Sequence, residues 1–296
     1  MNQVPDSKHD NIASYRIQFL SIGHFTHDVV GNELILGGTA AYSIATARKL
    51  GLSAGAVSAV GKDFLHYDRL KDISLAIAKE PDGELSKTTT TFENIYENGV
   101  RRQFIKGVSA TIRSEHIPDK WCNADIVYLG PVANEIDPSV VHKFSNSIIG
   151  ASPQGWMRKW DNKGRVYPKR WDDAPKVLPY INALIMSEED ISPFPDIVNE
   201  YIELVEIMVV TKGDKGSTLY HNGIKRDFPA FKTNVVDPTG AGDVFATAFL
   251  IKLQETNDPC KASIFANCTA SFVVEKRGIE GIPDLNQVRL RFENYK

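Results

Sequence analysis

The residues best suited to chemistry are Asp237-Pro238-Thr239-Gly240-Ala241-Gly242-Asp243, which run directly into the apolar stretch 244–253. Small side chains at 240–242 allow a close backbone turn that points several N–H groups the same way. The start of a helix adds partial positive charge, so the segment predicts an anion site. Asp243 would stand beside it. A nest of donors next to a carboxylate serves phosphoryl transfer to an alcohol: the nest stabilises charge on the transferred group while the carboxylate takes the hydroxyl proton. A plainer alternative is a helix that follows a glycine turn, with Asp243 merely complementing the helix dipole. Two rival phosphate-binding patterns fail. The dinucleotide fingerprint wants a third glycine where Phe245 stands, and Gly213-Asp214-Lys215-Gly216-Ser217 does not satisfy a P-loop.

Such a site needs elements to carry it, and the chain alternates strand-like with helix-like segments. Strands are expected at 15–22 (ending at Gly23), 54–60, 126–129, 181–186 and 207–211. Helices are expected at 39–50 (stopped by Gly51), at 139–148, at 187–203 with a break near Pro193 and Pro195, and lastly at 239–253 and 259–274. This alternation predicts an α/β fold with a mainly parallel central sheet covered on both faces. Hairpins interrupt it at 27–36, turning at Gly31-Asn32, at 88–105, turning at Glu97-Asn98-Gly99, and at 217–228, turning at Asn222-Gly223. The first two could form a small separate sheet.

Composition narrows the function classes. The chain of 296 residues is 42% hydrophobic and 24% charged with a formal net charge of -3, so it can bury a full core and offers no nucleic-acid or membrane electrostatics. Residues 1–14 are polar and lack the apolar stretch of a signal peptide; they are expected to be a frayed tail ahead of one domain at 15–296. Cys122, Cys260 and Cys268 do not read as a disulfide framework, which suits reduced thiols and a cytoplasmic protein.

Nearly the whole chain after the tail resembles the PfkB, or ribokinase-like, carbohydrate kinase family. Residues 237–243 look like its C-terminal signature. Gly37-Gly38-Thr39-Ala40-Ala41-Tyr42 is similar to its sugar-contacting Gly-Gly turn and the helix that follows. Asp28, five residues after Gly23, matches the aspartate that binds substrate hydroxyls, and Val210-Thr211-Lys212-Gly213-Asp214-Lys215-Gly216 resembles the nucleotide-side strand and turn. The resemblance implies a three-layer α/β/α sandwich with a small β-sheet lid made from the hairpins at 27–36 and 88–105. It also implies ATP-dependent phosphorylation of a hydroxyl on a small unphosphorylated sugar or cyclic polyol. Asp243 would be the base and Gly240, Ala241 and Gly242 the anion hole. Thr211, Gly213 and Gly216 would lie near ATP, and Asn267 in the helix that flanks the adenine pocket. Mg2+ would accompany ATP, with dependence on a monovalent cation such as K+ left open, and the lid hairpins could pair two subunits into a homodimer. The stretch Gly23-His24-Phe25-Thr26-His27-Asp28 together with Ala40-Ala41-Tyr42 is similar to plant-type myo-inositol kinases more than to ribokinases. A nucleoside kinase, or a non-catalytic sensor on the same fold, is the alternative; an intact glycine turn beside Asp243 favours an enzyme.

The chain departs from the family pattern in places. Tyr42 stands where an asparagine is common, so a phenol replaces an amide; it could pack in the core or narrow the pocket and offer an aromatic face to a ring. The family's Asn-x-x-Glu appears as Ser187-Glu188-Glu189-Asp190, with Asp190 as the carboxylate toward Mg2+, or alternatively as a helix cap. Gln154 and Arg158, in a loop after a strand, and Glu135, after Gly130-Pro131, are further candidates for substrate contact. His24 and His27 sit near Asp28 without a clear third metal ligand, so substrate contact or strand packing is expected of them. No extra basic cluster accompanies Gly37-Gly38 to hold a second phosphate, which disfavours phosphorylated sugars.

Overall fold

Short β-branched and apolar runs make the strands, and longer alanine-rich runs make the principal helices. The computed structural model describes residues 16–97 and 100–294; the expected tail at 1–14 and the Asn98-Gly99 turn lie outside them. In chain order the elements are β1 (Phe19–Ile22), β2 (Thr26–Val30), β3 (Glu33–Gly37), α1 (Thr39–Lys49), β4 (Ala54–Ser58), β5 (Ser74–Ile77), β6 (Thr91–Glu97) and β7 (Val100–Gly107). Next come β8 (Ile126–Leu129), β9 (Ile148–Ala151), β10 (Arg158–Trp160), β11 (Val166–Pro168), α2 (Ala174–Val177), β12 (Ala183–Ser187), α3 (Glu188–Ile191) and α4 (Ile197–Ile202). The chain closes with β13 (Ile207–Thr211), β14 (Ser217–His221), β15 (Ile224–Phe228), α5 (Ala241–Thr256), α6 (Pro259–Val273) and α7 (Leu285–Glu293).

The main sheet runs in the order β15-β14-β13-β12-β9-β8-β1-β4-β5. Every pair from β13 to β5 is parallel, and the β14–β15 hairpin extends one edge antiparallel. Strand side chains alternate between the faces. Leu20, Ile22, Val127, Leu129, Leu184 and Met186 pack into a core with the single-turn helices on one side. Phe19, Ile126, Tyr128, Ala183 and Ile185 pack on the other side with α1, α5 and α6. The result is a three-layer α/β/α sandwich. A separate sheet in the order β3-β2-β6-β7 forms the lid.

The topology decides where a ligand can sit. From β1 the chain moves outward through β4 to β5, then returns to the other side of β1 and proceeds through β8, β9 and β12. The order therefore reverses between β1 and β8, and the crevice beyond their carboxyl ends is the usual ligand position in such a sheet. Backbones approach closely there: a Cβ on Gly23 would lie 2.4 Å from Gly130 O, and one on Gly130 would lie 2.0 Å from Thr39 Cγ2.

The segment 139–148, expected as a helix, is instead a 3-10 turn at Pro138–Lys143 followed by strand β9. The strand prevails because Ile148–Ala151 lies between β8 and β12 and because Gly150 allows α5 to press close, its absent Cβ leaving room for Leu250. Helix α7, β5 and the β10–β11 ribbon were not expected, and α6 is not the last helix. The ribbon is laced to the lid: Ile105 N donates to Gly164 O at 2.8 Å, and Phe104 bridges Arg165.

Because Thr39 opens α1 and its rigid side chain fills the space at Gly130, Gly130→Ala should destabilise the fold by about 2 kcal/mol, a typical overpacking cost. Thermal unfolding should show a midpoint lowered by roughly 5 °C; an unchanged midpoint would contradict this packing.

Candidate active site

Helix α5 starts at the crevice. Its N-cap, Gly240, adopts φ 79°, and no side chain caps the helix. Ala241 N donates to Pro238 O at 3.2 Å, and Thr239 N to Asp237 Oδ1 at 2.9 Å, which fixes the turn. The first-turn N–H groups of a helix have no partner within it, so Gly242 and Asp243 present donors to an anion. A Cβ at Gly242 would meet nothing within 4 Å, so the space above this turn is open.

Asp243 occupies the first turn of α5 and is ringed by protein on most sides while one edge stays open. Tyr128 Oη lies 3.2 Å from Asp243 Oδ1 and 2.9 Å from Ser152 Oγ. Thr39, the first residue of α1, also hydrogen-bonds the carboxylate. Burial pushes the Asp243 carboxyl up to about 6, against the opposing pull of the Thr39 and Tyr128 hydroxyls and the Arg158 charge. At neutral pH the group is therefore mostly ionised, yet basic enough to take and release a proton.

Asp28 sits on lid strand β2, held over Gly37: a Cβ there would be 2.2 Å from Asp28 Oδ2, and Thr26 Oγ1 donates to Asp28 Oδ1 at 3.2 Å. Gly38, with φ 85°, leads from β3 directly into α1. Tyr42, one turn into α1, lies in the field of both carboxylates. Burial pushes its phenol well up, with Asp28, Asp237 and Asp243 adding to the shift. Its ring is 3% exposed and packs with Val244, Val273 and Ile282 beneath the turn, where a Cβ on Gly240 would lie 2.1 Å from Tyr42 Cε1. Tyr42 thus closes the space behind the anion turn; it does not offer an aromatic face to a ring, which corrects that expectation. Its hydroxyl lies in the field of the three aspartates.

Arg158 reaches the same crevice from β10. Its Nη1 donates to Val132 O at 2.9 Å, its guanidinium lies 5.3 Å from the Phe92 ring of lid strand β6, and its charge acts on Asp243. Gln154 is exposed at the crevice rim, in the 3-10 turn where Gly155 N donates to Pro131 O. Glu135 is buried and committed elsewhere. Its oxygens accept from Val132 N at 2.9 Å, Ala133 N at 2.6 Å and His24 N at 3.2 Å, which makes it a clamp between the ends of β1 and β8 and not the sugar contact expected. His24 is also structural, with Nδ1 2.7 Å from Thr90 Oγ1 and Nε2 2.9 Å from Ala110 O, while His27 stacks on Phe64.

On the expected nucleotide side, Thr211 ends β13 and hydrogen-bonds Met186 O, Gly213 is exposed with φ 58°, and Gly216 has φ 91° with its α-carbon against Phe228 O. Asn267 Nδ2 donates to Ser217 Oγ at 3.0 Å and reaches Phe228 O and Pro229 O. It ties α6 to the β14–β15 hairpin. Asp190 Oδ2 receives Ser187 N at 3.1 Å and Ser187 Oγ at 2.9 Å, the capping-box alternative. Among the described residues no group of three His, Cys, Asp or Glu side chains could hold a metal ion. Asp190 therefore caps its helix through Oδ2, the alternative reading of this residue.

The pfkB family carbohydrate kinase model matches residues 24–284. The chain belongs to this family. It is 27% identical over 270 residues to the nucleoside kinase of Methanocaldococcus jannaschii, covering 88% of this chain and 86% of that protein. It is 28% identical over 276 residues to an inositol 3-kinase of Arabidopsis thaliana, covering 88% and 74% respectively. The solved structure of Arabidopsis thaliana ribokinase complexed with ribose and ATP superposes with a TM-score of 0.72 at 21% identity, over 94% of this chain and 99% of that one. As a pfkB-family protein the chain is a phosphotransferase that uses an alcohol group as acceptor. The structure brings Asp243, the glycine turn and Asp28, all singled out in the sequence, to one crevice; it adds Tyr128 and Ser152, which no motif marks, and Thr39, which lies within the Gly-Gly signature but had no role assigned.

Burial disfavours the charged form of Asp243, raising its pKa above that of an unfolded aspartate near ~3.9. The destabilisation it causes is absent below that value and grows as pH rises through about 6. Asp243→Asn should therefore unfold at higher temperature than the parent at pH 7.5, by about 1–3 kcal/mol of stability, with the gain vanishing near pH ~4. Equal midpoints at both pH values would contradict the burial of this charge.

Proposed function

We propose that this pfkB-family kinase transfers a phosphoryl group from ATP to a hydroxyl of a small unphosphorylated sugar or cyclic polyol, with Asp243 as general base. The observation that carries the proposal is the meeting of Asp243, a carboxyl held near 6 by burial, with the uncapped start of α5. Asp28 accepts hydrogen bonds from neighbouring acceptor hydroxyls under the lid. Asp243 takes the proton of the attacking hydroxyl, whose oxygen bonds to the terminal phosphorus as the bond to the leaving phosphate breaks. Charge on the transferred group meets the anion hole of the Gly240-Ala241-Gly242 turn, where the amides of Gly242 and Asp243 are the donors, and the guanidinium of Arg158, which compensate it electrostatically. At neutral pH a group with this basicity then returns the proton to solvent. Mg2+ carried by the donor phosphates neutralises their charge when bound; a lone carboxylate such as Asp190, with one oxygen engaged by Ser187, suits an ion that arrives with phosphates better than a closed protein cage.

The names of the relatives support either a polyol or a nucleoside as acceptor. We favour the smaller, unphosphorylated ring because Asp28 and Asp243 both line the acceptor side, where a second phosphate would meet negative charge. A non-catalytic sensor is disfavoured because a buried, raised carboxylate costs stability without serving recognition of an anion.

Purified protein should be run with ATP and Mg2+ against sugars, cyclic polyols, nucleosides and fructose 6-phosphate. An unphosphorylated ring such as myo-inositol should exceed fructose 6-phosphate in kcat/KM, and a preference for the phosphosugar would reject this acceptor class. Asp243→Asn should lose at least ~100-fold in turnover with ATP binding retained, the scale of a positioned base; near-normal turnover would remove Asp243 from the reaction. Asp28→Ala should weaken acceptor binding by about 2 kcal/mol or more, since charged hydrogen bonds are lost, and calorimetry showing unchanged affinity would reject that role.

A further inference from the structure

Tyr128 stands directly behind the proposed base and belongs to no motif. It lies on β8, on the face toward α1 and α5, and is wholly buried, so its phenol extends along the sheet to the carboxyl end of the strand. There Oη meets two partners, Ser152 Oγ at 2.9 Å and Asp243 Oδ1 at 3.2 Å. A buried tyrosine needs one partner to satisfy its hydroxyl, and Ser152 alone would suffice. The second contact is surplus to folding.

The chemistry of the groups fixes the direction of this chain of hydrogen bonds. An ionised carboxylate only accepts, whereas a phenol has one proton and spare lone pairs. When Asp243 is ionised, Tyr128 must donate toward it, and the Ser152 hydroxyl must donate to the phenol oxygen. Burial raises the Tyr128 phenol well above its ordinary value, so it is a neutral donor at neutral pH. Thr39 supplies a second hydroxyl from α1. The remaining titratable and charged groups around Asp243 are Arg158 from β10 and Tyr42 from α1, with Asp28 of β2 and Asp237 of the preceding turn acting on Tyr42. Arg158 is partly exposed and Tyr42 is turned toward three carboxylates. Tyr128 is the fully buried donor with a direct hydrogen bond to the base.

We propose that Tyr128 is a positioning residue for phosphoryl transfer: through the Ser152–Tyr128–Asp243 chain it fixes the orientation of the base and favours its proton-accepting form. The proposal rests on Asp243 being the base. It differs from a packing role: if Tyr128 served packing alone, phenylalanine would fill the same volume in the sheet and leave the titration of Asp243 unmoved.

The test is Tyr128→Phe in the full chain, with two readouts. Carboxyl 13C NMR of aspartate-labelled protein, with the Asp243 signal assigned by its loss in Asp243→Asn, should show the titration of Asp243 moving up by about one pH unit in Tyr128→Phe, the scale of one hydrogen bond to a charged group. The acid limb of the kcat/KM profile should move the same way. The value of kcat should fall roughly tenfold while the KM for ATP changes little, since the interaction touches the base and not the donor. A thermal midpoint close to the parent would confirm that the fold is retained. An Asp243 titration unchanged in Tyr128→Phe would overturn the role assigned to Tyr128. Lack of transfer by the parent protein to any alcohol would instead overturn the kinase mechanism, and the NMR readout keeps the two failures apart.

Discussion

Three backbone N–H groups converge on the buried carboxylate of Glu135, and the geometry of the crevice depends on this clamp. The amides of Val132 and Ala133 follow β8, and that of His24 follows β1. These strands are adjacent in the sheet but far apart in sequence, and their carboxyl ends diverge into different connections. Charge-assisted bonds to a carboxylate are among the stronger ones available. By joining the two departures, Glu135 holds Gly23 and Gly130 close enough that α1 can start against them. The position of Thr39, and through it one support of Asp243, follows from that contact.

The site is assembled from distant parts of the chain. Asp28 comes from the lid, Tyr42 and Thr39 from α1, Tyr128 from β8, Arg158 from the ribbon and Asp243 from α5. Two competing effects set the state of Asp243. Burial opposes charge on Asp243, and the surrounding hydroxyls and Arg158 oppose the burial. Desolvation prevails, leaving the carboxyl near 6 instead of near ~3.9. A more exposed aspartate would be less basic, and one without these donors would be shifted further up.

Much of this arrangement was legible in the sequence. The 126–129 and 207–211 segments are strands with those bounds because they are apolar, β-branched runs ended by turn residues. Asp237–Asp243 was legible because small residues before a long apolar helix leave few other structures open. The strand at Ile148–Ala151 was not, since its residues suit a helix tail as well and only the vacancy between β8 and β12 selects a strand. Helix α7 exposes most of its surface and buries Val288, so its periodicity is weak; the capping box of Asp284 and Gln287 was the signal that could have revealed it. Tyr42 reads as a replaced amide in sequence, and only the fold shows its ring under Gly240. Tyr128 reads as one apolar strand residue among four, because the carboxylate it meets is 115 positions away.

The lacing of the β10–β11 ribbon to lid strand β7 has a mechanical consequence. The hydrogen bond from Ile105 to Gly164 and the bridge from Phe104 to Arg165 make the ribbon a lever attached to the lid, and Arg158 sits at the other end of that lever with Phe92 beneath its guanidinium. The lid sheet and the cation beside Asp243 therefore belong to one mechanical frame. Cover and charge are thus geared together: the contacts that seat the lid sheet also seat the guanidinium whose field bears on Asp243.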